Sequence, residues 1–175
     1  GLCIPRRYGG LGLDYVSLGI ISEEFERADT AFRVLIAVHL GLNSLALLQW
    51  GSEEQKQRYL IPQAHGEKLA AFALTEPDAG SDVAGIRTTA RRDGTRYILN
   101  GEKTSMSFSI EADAAVVFAR TGAPDSGARG ITAFFVPMDL PGISRTRFND
   151  LGTKMVARGS AFFDNVRIPE EYRIG

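Results

Sequence analysis

At 175 residues, with 44% hydrophobic and 23% charged side chains, the chain has the composition of a globular protein with enough apolar residues for one large or two small cores. Its 20 basic and 21 acidic residues leave a formal net charge of -1, which removes any bulk electrostatic reason to bind nucleic acid or an anionic membrane. The single cysteine, Cys3, excludes an internal disulfide, and with only His39 and His65 beside it there is no recognisable metal-ligand cluster; no metal site is expected, and a reducing compartment is the default.

The chain opens at Gly1 without a Met or a basic-then-apolar leader, and no apolar run reads as long enough to span a bilayer. It reads as an internal piece, and Ile168–Gly175 reads as a strand followed by a connector to something further. From Asp14 to about Gln49 apolar residues recur at helical spacing, through Leu18, Ile21 and Phe25 and then Leu35, Val38, Leu42 and Leu45, which predicts two helices. Asp14 is placed to cap the first and Asp29 or Thr30 the second, with Gly51 ending it. Ser52-Glu53-Glu54-Gln55 has the hydroxyl and the amide of a capping box and starts a third helix running toward Pro62. Trp50 is expected to pack at a helix end, and His39, on an apolar helix, to be a satisfied core histidine.

After Leu69 the pattern changes to short apolar or alternating runs parted by turn residues at intervals of about 8–12 residues, as in all-β sandwiches and barrels. Strands are expected near 69–75, 86–92, 95–99, 113–120, 131–136 and 159–168. Asp93-Gly94 and Asn100-Gly101 both accept the positive φ of tight turns, so Ile86–Lys103 should run strand, turn, strand, turn. Gly122–Arg129 is an exposed loop by composition, and Arg91, Arg92 and Arg96 form a solvated face. The fold class expected is therefore α+β: a helical part over residues 1–68, then an antiparallel β-barrel or sandwich over 69–175.

Thr75-Glu76-Pro77-Asp78-Ala79-Gly80-Ser81-Asp82 follows an apolar strand and gathers hydroxyls, a glycine and acids into one connection. Gly80 permits close backbone approach, consecutive amides can form a concave donor site, and Thr75 and Ser81 add hydroxyls that suit a phosphate or a ring carbonyl. An ordinary capped turn has the same composition.

The segment Phe72–Asp82 resembles the flavin-binding signature of the acyl-CoA dehydrogenases. Pro5, Tyr8-Gly9-Gly10-Leu11-Gly12, Gly51–Lys56, Tyr59-Leu60, Gly66-Glu67, Leu99–Lys103, Pro141-Gly142, Lys154-Met155 and Phe163–Pro169 continue that resemblance in the family's order and spacing across essentially the whole chain. It implies a helical N-terminal domain and a middle β-domain, with FAD lying between the β-domain and a C-terminal helical domain that is not among these residues. It further implies that Phe72, Leu74, Thr75, Gly80 and Ser81 line the flavin and its phosphates, with Ser81 also near the acyl-CoA thioester. The reaction implied is α,β-dehydrogenation of an acyl-CoA, with electrons passing to an electron-transfer flavoprotein. Such enzymes are homo-oligomers of the bacterial cytoplasm or the mitochondrial matrix.

One departure stands out. After Lys103 the family has a Trp, an aliphatic residue and a Thr or Ser beside the flavin, whereas this chain reads Thr104-Ser105-Met106-Ser107. Ser107 keeps the hydroxyl, but Ser105 does not replace an indole, so either Phe108 fills the space or the flavin edge is more open. An open edge would favour an oxidase or monooxygenase on the same scaffold, and a non-catalytic remnant is the reading from a different class. The wording Glu102-Lys103-Thr104-Ser105 is similar to relatives that act on alicyclic carboxyl-CoA thioesters. The family's catalytic Glu is expected in the C-terminal helical domain, so Glu76 and Asp82 are assigned structural roles and no catalytic residue is expected here. Some relatives carry their base elsewhere, including within the N-terminal helical region, but the helix from Ala31 to Trp50 holds no Asp or Glu and gives no support for that variant here.

Overall fold

The computed structural model describes all of residues 1–175. Helix α1 (Tyr15–Ala28) starts where the Asp14 carboxylate accepts the amide of Ser17 at 2.8 Å. Asp29 accepts the amide of Ala31 at 2.7 Å and starts α2 (Thr30–Trp50), which ends at Gly51. The middle of α2, Ile36–Ser44, is wound as a π-helix, and there the side chains of Asn43 and Ser44 donate to the carbonyls five residues back, Val38 and His39, at 2.8 and 3.0 Å. Helix α3 (53–64) opens on the reciprocal capping box of Ser52 and Gln55 and runs past Pro62. Proline is tolerated because it falls at the start of a new α-turn, Ile61–Ala64, after a π-wound Lys56–Leu60, where a missing N–H costs little.

Two expectations about α2 are corrected. It is 21 residues long and contains an 18-residue stretch of mean hydropathy 1.8, which is long and apolar enough by composition to cross a membrane. Its polar residues His39, Asn43 and Ser44 are instead hydrogen-bonded to the sheet and to α3, and that engagement places it as a layer of the fold. Trp50 does not pack at the helix end: it is 61% exposed.

The strands are β1 (Ala70–Ala73), β2 (Thr89–Asp93), β3 (Arg96–Met106), β4 (Ala114–Arg120), β5 (Ile131–Pro137), β6 (Ile143–Arg145), β7 (Gly159–Pro169) and β8 (Arg173–Ile174). They form one mostly antiparallel sheet in the order β6-β7-β3-β2-β4-β5-β8, with β1 parallel to β4 beside it. The sheet has free edges at β6 and β8 and is not closed into a barrel. Its two halves meet at a single pair, Thr89 and Arg120, and fold onto one core. Ala71, Ala73, Val117, Ala119 and Phe134 from one half meet Tyr97, Leu99, Phe163 and Ile168 from the other, with the Tyr97 and Phe134 rings 5.0 Å apart. Period-two alternation turns Ala70, Phe72, Val116 and Phe135 the other way, against Leu40, Leu47 and Leu60 of the helices.

Asp93-Gly94 makes the expected hairpin, with Asp93 paired to Arg96 and Gly94 at φ 62°. Asn100-Gly101 does not turn: β3 continues through it to Met106. The local signal serves a bulge instead. An extra residue on β7 at Asp164-Asn165 shifts the register, Asn165 takes φ 51°, and the Asn100 side chain accepts its amide at 2.8 Å. Gly101 is obligatory there, because a Cβ would lie 2.5 Å from Thr88 Oγ1 and its φ is 145°. The strand expected at 86–92 starts only at Thr89, since the amides of Arg87 and Thr88 turn to a side chain described below.

A polar seam joins the helices to the sheet. His39 Nδ1 accepts the amide of Ala70 at 3.1 Å, which fixes the proton on Nε2, and Nε2 donates to the Gln63 carbonyl at 3.0 Å. Burial holds this imidazole below its usual range, opposed by the Gln63 carbonyl. Because the folded state binds the proton less well than the unfolded chain, the contribution is complete above the unfolded pKa of about 6.5 and is lost as pH falls through it. Unfolding free energies from urea denaturation between pH 7.5 and 5 should fall more steeply for the wild type than for His39→Gln, by no more than about 1.4 kcal/mol per pH unit. Parallel curves would refute the assignment.

Candidate functional site

At the C-terminal end of β1, Phe72 packs edge-on to Phe118 with ring centroids 5.2 Å apart, half-buried on the helix-facing side, and Leu74 and Thr75 follow. The chain then reverses at Pro77-Asp78, where Glu76 and Ala79 exchange backbone hydrogen bonds of 2.8 and 3.2 Å. Gly80, Ser81 and Asp82 emerge exposed. The amide of Thr104 donates to the Thr75 carbonyl at 2.8 Å, which brings the Ser105–Ser107 end of β3 to the same edge as the loop. Thr75, Gly80, Ser81 and Ser105 thus gather at one end of the sheet. Ser107 faces a cleft of about 430 Å³ shared with Val34, Thr153, Val156 and Arg158.

The donors of this edge are free. The amides of Gly80, Ser81 and Asp82 and the hydroxyls of Thr75, Ser81, Ser105 and Ser107 have no hydrogen-bond partner within the chain. The neighbouring acids are committed elsewhere. Asp82 caps the amide of Ala84 at 3.1 Å, and Asp78 meets Arg87 at 3.3 Å. Gly80 has nothing nearer its absent Cβ than Thr75 Cγ2 at 3.8 Å, so the chain's own packing does not require glycine there and the exposed face stays open.

Glu76 is the organising residue. Only 7% exposed, it accepts Lys103 Nζ at 2.7 Å and the amides of Arg87 and Thr88 at 2.6 and 3.0 Å. Lys103, 0% exposed, also donates to the Leu74 carbonyl at 2.9 Å. Burial alone would push the Glu76 carboxyl up, but the two amides and the ammonium outweigh it and hold it below the usual carboxylate range. The role of Lys103 was missed at the level of sequence. Its one signal is parity, since Lys103 lies an even number of residues from the core residues Tyr97 and Leu99 along β3, which puts a lysine on an inward position.

Ser105 sits where β3 carries one residue more than β7, between the pairs Lys103–Ala161 and Met106–Gly159. The bulge takes φ 55° and turns a small, exposed side chain outward. Phe108 is buried with Ala31 and Val156 beneath Val34, Leu35 and Val38, with its amide donating to the Val156 carbonyl at 2.7 Å. It serves the α2 contact.

Residues 1–67 match the model of the acyl-CoA dehydrogenase N-terminal domain and residues 71–166 that of the acyl-CoA dehydrogenase middle domain. An acyl-CoA dehydrogenase of Bacillus subtilis is 39% identical over 176 residues, covering 100% of this chain and 46% of that protein. A subunit of the caffeyl-CoA reductase-Etf complex of Acetobacterium woodii is 39% identical over 176 residues, with the same coverage of 100% and 46%. The structure of a glutaryl-CoA dehydrogenase from Mycobacterium smegmatis in complex with FADH2 superposes with a TM-score of 0.86 at 39% identity, covering 95% of this chain and 42% of that one. The chain therefore spans less than half the length of these relatives. Two family models that together take in most of the sequence, laid over the fold just described, make this chain a member of the acyl-CoA dehydrogenase family.

Proposed function

We propose that residues 1–68 and 69–175 are the N-terminal helical and middle flavin-cradling domains of an FAD-dependent acyl-CoA dehydrogenase. The observation that carries this is the cluster of free donors at Thr75 and Gly80–Asp82, beside a half-buried aromatic face. The donor set fits the group: hydroxyls and consecutive amides suit a pyrophosphate and ring carbonyls, Asp78 and Glu76 are paired with Arg87 and Lys103, and Asp82 accepts the amide of Ala84. Phe72, Leu74, Thr75, Gly80, Ser81, Ser105 and Ser107 would hold FAD, and Ser81 would also reach the acyl-CoA. Bound there, FAD would accept the hydride in α,β-dehydrogenation of the thioester.

The chain's own part is to bind, orient and exclude water. Both Glu76 oxygens are taken by three donors, so this carboxylate is not free to remove an α-proton, while Asp82 caps the amide of Ala84 with Oδ1. Ser105, small and turned outward, leaves the flavin edge more open than an indole would. Its neighbour Phe108 is engaged with α2 and does not compensate. An electron-transfer flavoprotein is the electron acceptor in this reading, and the full-length protein is a homo-oligomer of the bacterial cytoplasm or the mitochondrial matrix.

The full-length protein should purify with flavin absorbance that bleaches when an acyl-CoA is added anaerobically. Ser81→Ala should weaken FAD or acyl-CoA binding about ten-fold to a hundred-fold, the loss of one donor to a charged or polarised acceptor. Unchanged affinity for both would sink the site. Flavin that bleaches but reoxidises rapidly in air would favour an oxidase, and absence of flavin a non-catalytic remnant.

A further inference from the structure

The strongest uncommitted feature near the loop is the buried Lys103–Glu76 pair, which lies behind the free donors and faces none of them. One carboxylate ties both ends of the excursion from β1 to β2: Lys103 and the Leu74 carbonyl at its start, the amides of Arg87 and Thr88 at its end. Further ties run beside it. The Thr88 hydroxyl donates to the Glu102 carbonyl at 3.3 Å, and the Arg120 guanidinium donates to the carbonyls of Ala84 and Ile86 at 2.6 and 3.2 Å. Between these anchors, Pro77–Asp82 is exposed apart from Ala79 and makes few contacts of its own. The positions of the Gly80–Asp82 donors are therefore set from below.

We propose that Lys103 and Glu76 are positioning residues for FAD, fixing the backbone of Leu74–Thr88 so that the donors of Thr75 and Gly80–Asp82 converge, while touching no part of the cofactor. The inference rests on the flavin reading of this loop. Its chemistry depends on a carboxylate in particular. An amide at position 76 would offer one oxygen and one NH2, and the NH2 would meet either a backbone N–H or the Lys103 ammonium, donor against donor. Charge balance alone is thus separable from position, because a neutral pair removes the buried ions without restoring the three anchors.

The test uses the full-length protein as Lys103→Met, Glu76→Gln and the double variant, reading the thermal midpoint, the FAD dissociation constant and the visible circular dichroism of bound flavin. Each single variant should lower the midpoint, and the double should recover most of it, since no unpaired buried ion remains. FAD affinity in the double should stay about ten-fold or more below wild type, with an altered flavin dichroism. Recovery of affinity and dichroism together with the midpoint would mean the pair is merely structural and would overturn the proposal. Glu76→Asp gives a second route should the double variant not fold. It keeps both charges but withdraws the carboxylate by one methylene, and native FAD affinity in that variant would equally overturn the proposal. A wild-type protein without flavin would remove the functional reading and this inference with it, whereas flavin-bound wild type beside an unaltered double variant removes this inference alone.

Discussion

Replacing Lys103 with Met is expected to destabilise the folded protein by about 3–5 kcal/mol, the range for breaking a buried ion pair on one side only. Met nearly reproduces the volume, so no cavity is the cause. What remains is Glu76, still buried, with two amide donors but no cation. The pH dependence follows from the carboxyl. In the wild type its folded pKa lies below the unfolded value of 4.5, so its contribution is present above 4.5 and is lost as pH falls through the folded pKa. In the variant that depression loses its ammonium partner, so protonation relieves the variant sooner than the wild type. Urea denaturation should then show a deficit that is greatest at neutral pH and narrows as pH approaches 4.5. A deficit under about 1 kcal/mol at pH 7 would mean that solvent reaches this pair.

Asn43→Leu should cost about 2–4 kcal/mol, although it exchanges a fully buried polar side chain for an apolar one of similar size. Asn43 joins three elements: its amide donates to the Val38 carbonyl within α2 and to the Ala70 carbonyl of β1 at 3.2 Å, and its oxygen accepts the Val116 amide of β4 at 3.3 Å. Leucine offers none of these, and the groups it abandons stay out of water. The effect should be local as well as global, with faster amide exchange across Ala70–Ala73, where β1 loses its tie to α2. Leu42→Asn, one residue away on the exposed side of the same helix, should stay within about 0.5 kcal/mol of wild type. Equal effects at 42 and 43 would refute the view that hydrogen bonding, and not helix propensity, sets this position.

The site was partly legible because part of its chemistry is contiguous. Thr75, Gly80 and Ser81 lie within seven residues, and their hydroxyl, glycine and amide content can be read in line. The pair that holds them was not legible, because Glu76 and Lys103 are 27 residues apart and meet only when the two halves of the sheet fold together and bring the end of β3 against the loop after β1. Sequence reasoning could weigh Glu76 as a base or as a loop residue, but the three donors that meet it are visible only in the fold. Ser105 has the same character: its identity is plain in the sequence, while the bulge that gives it φ 55° depends on one extra residue relative to β7.

By itself the sequence determined what local physics controls. Asp14, Asp29 and the Ser52/Gln55 box place the helix starts, since a cap satisfies amides within three residues of itself. The change from helical to alternating period at Leu69 separates helices from strands, and Asp93-Gly94 makes its hairpin because the required φ is a property of the turn. Tertiary structure decided whatever depends on a partner distant in the chain. Asn100-Gly101 carries a turn signal as good as Asp93-Gly94, yet β7 pairs on both sides of it and the ladder gains more than a turn would, so the positive φ is spent on a bulge. The apolar α2 is long and apolar enough by composition to cross a membrane, yet His39, Asn43 and Ser44 find partners in β1, β4 and α3 that no local reading supplies. Backbone geometry within a turn is a local free energy, whereas strand pairing and buried hydrogen bonds are contracts between segments, and they form only where the whole fold brings both parties together.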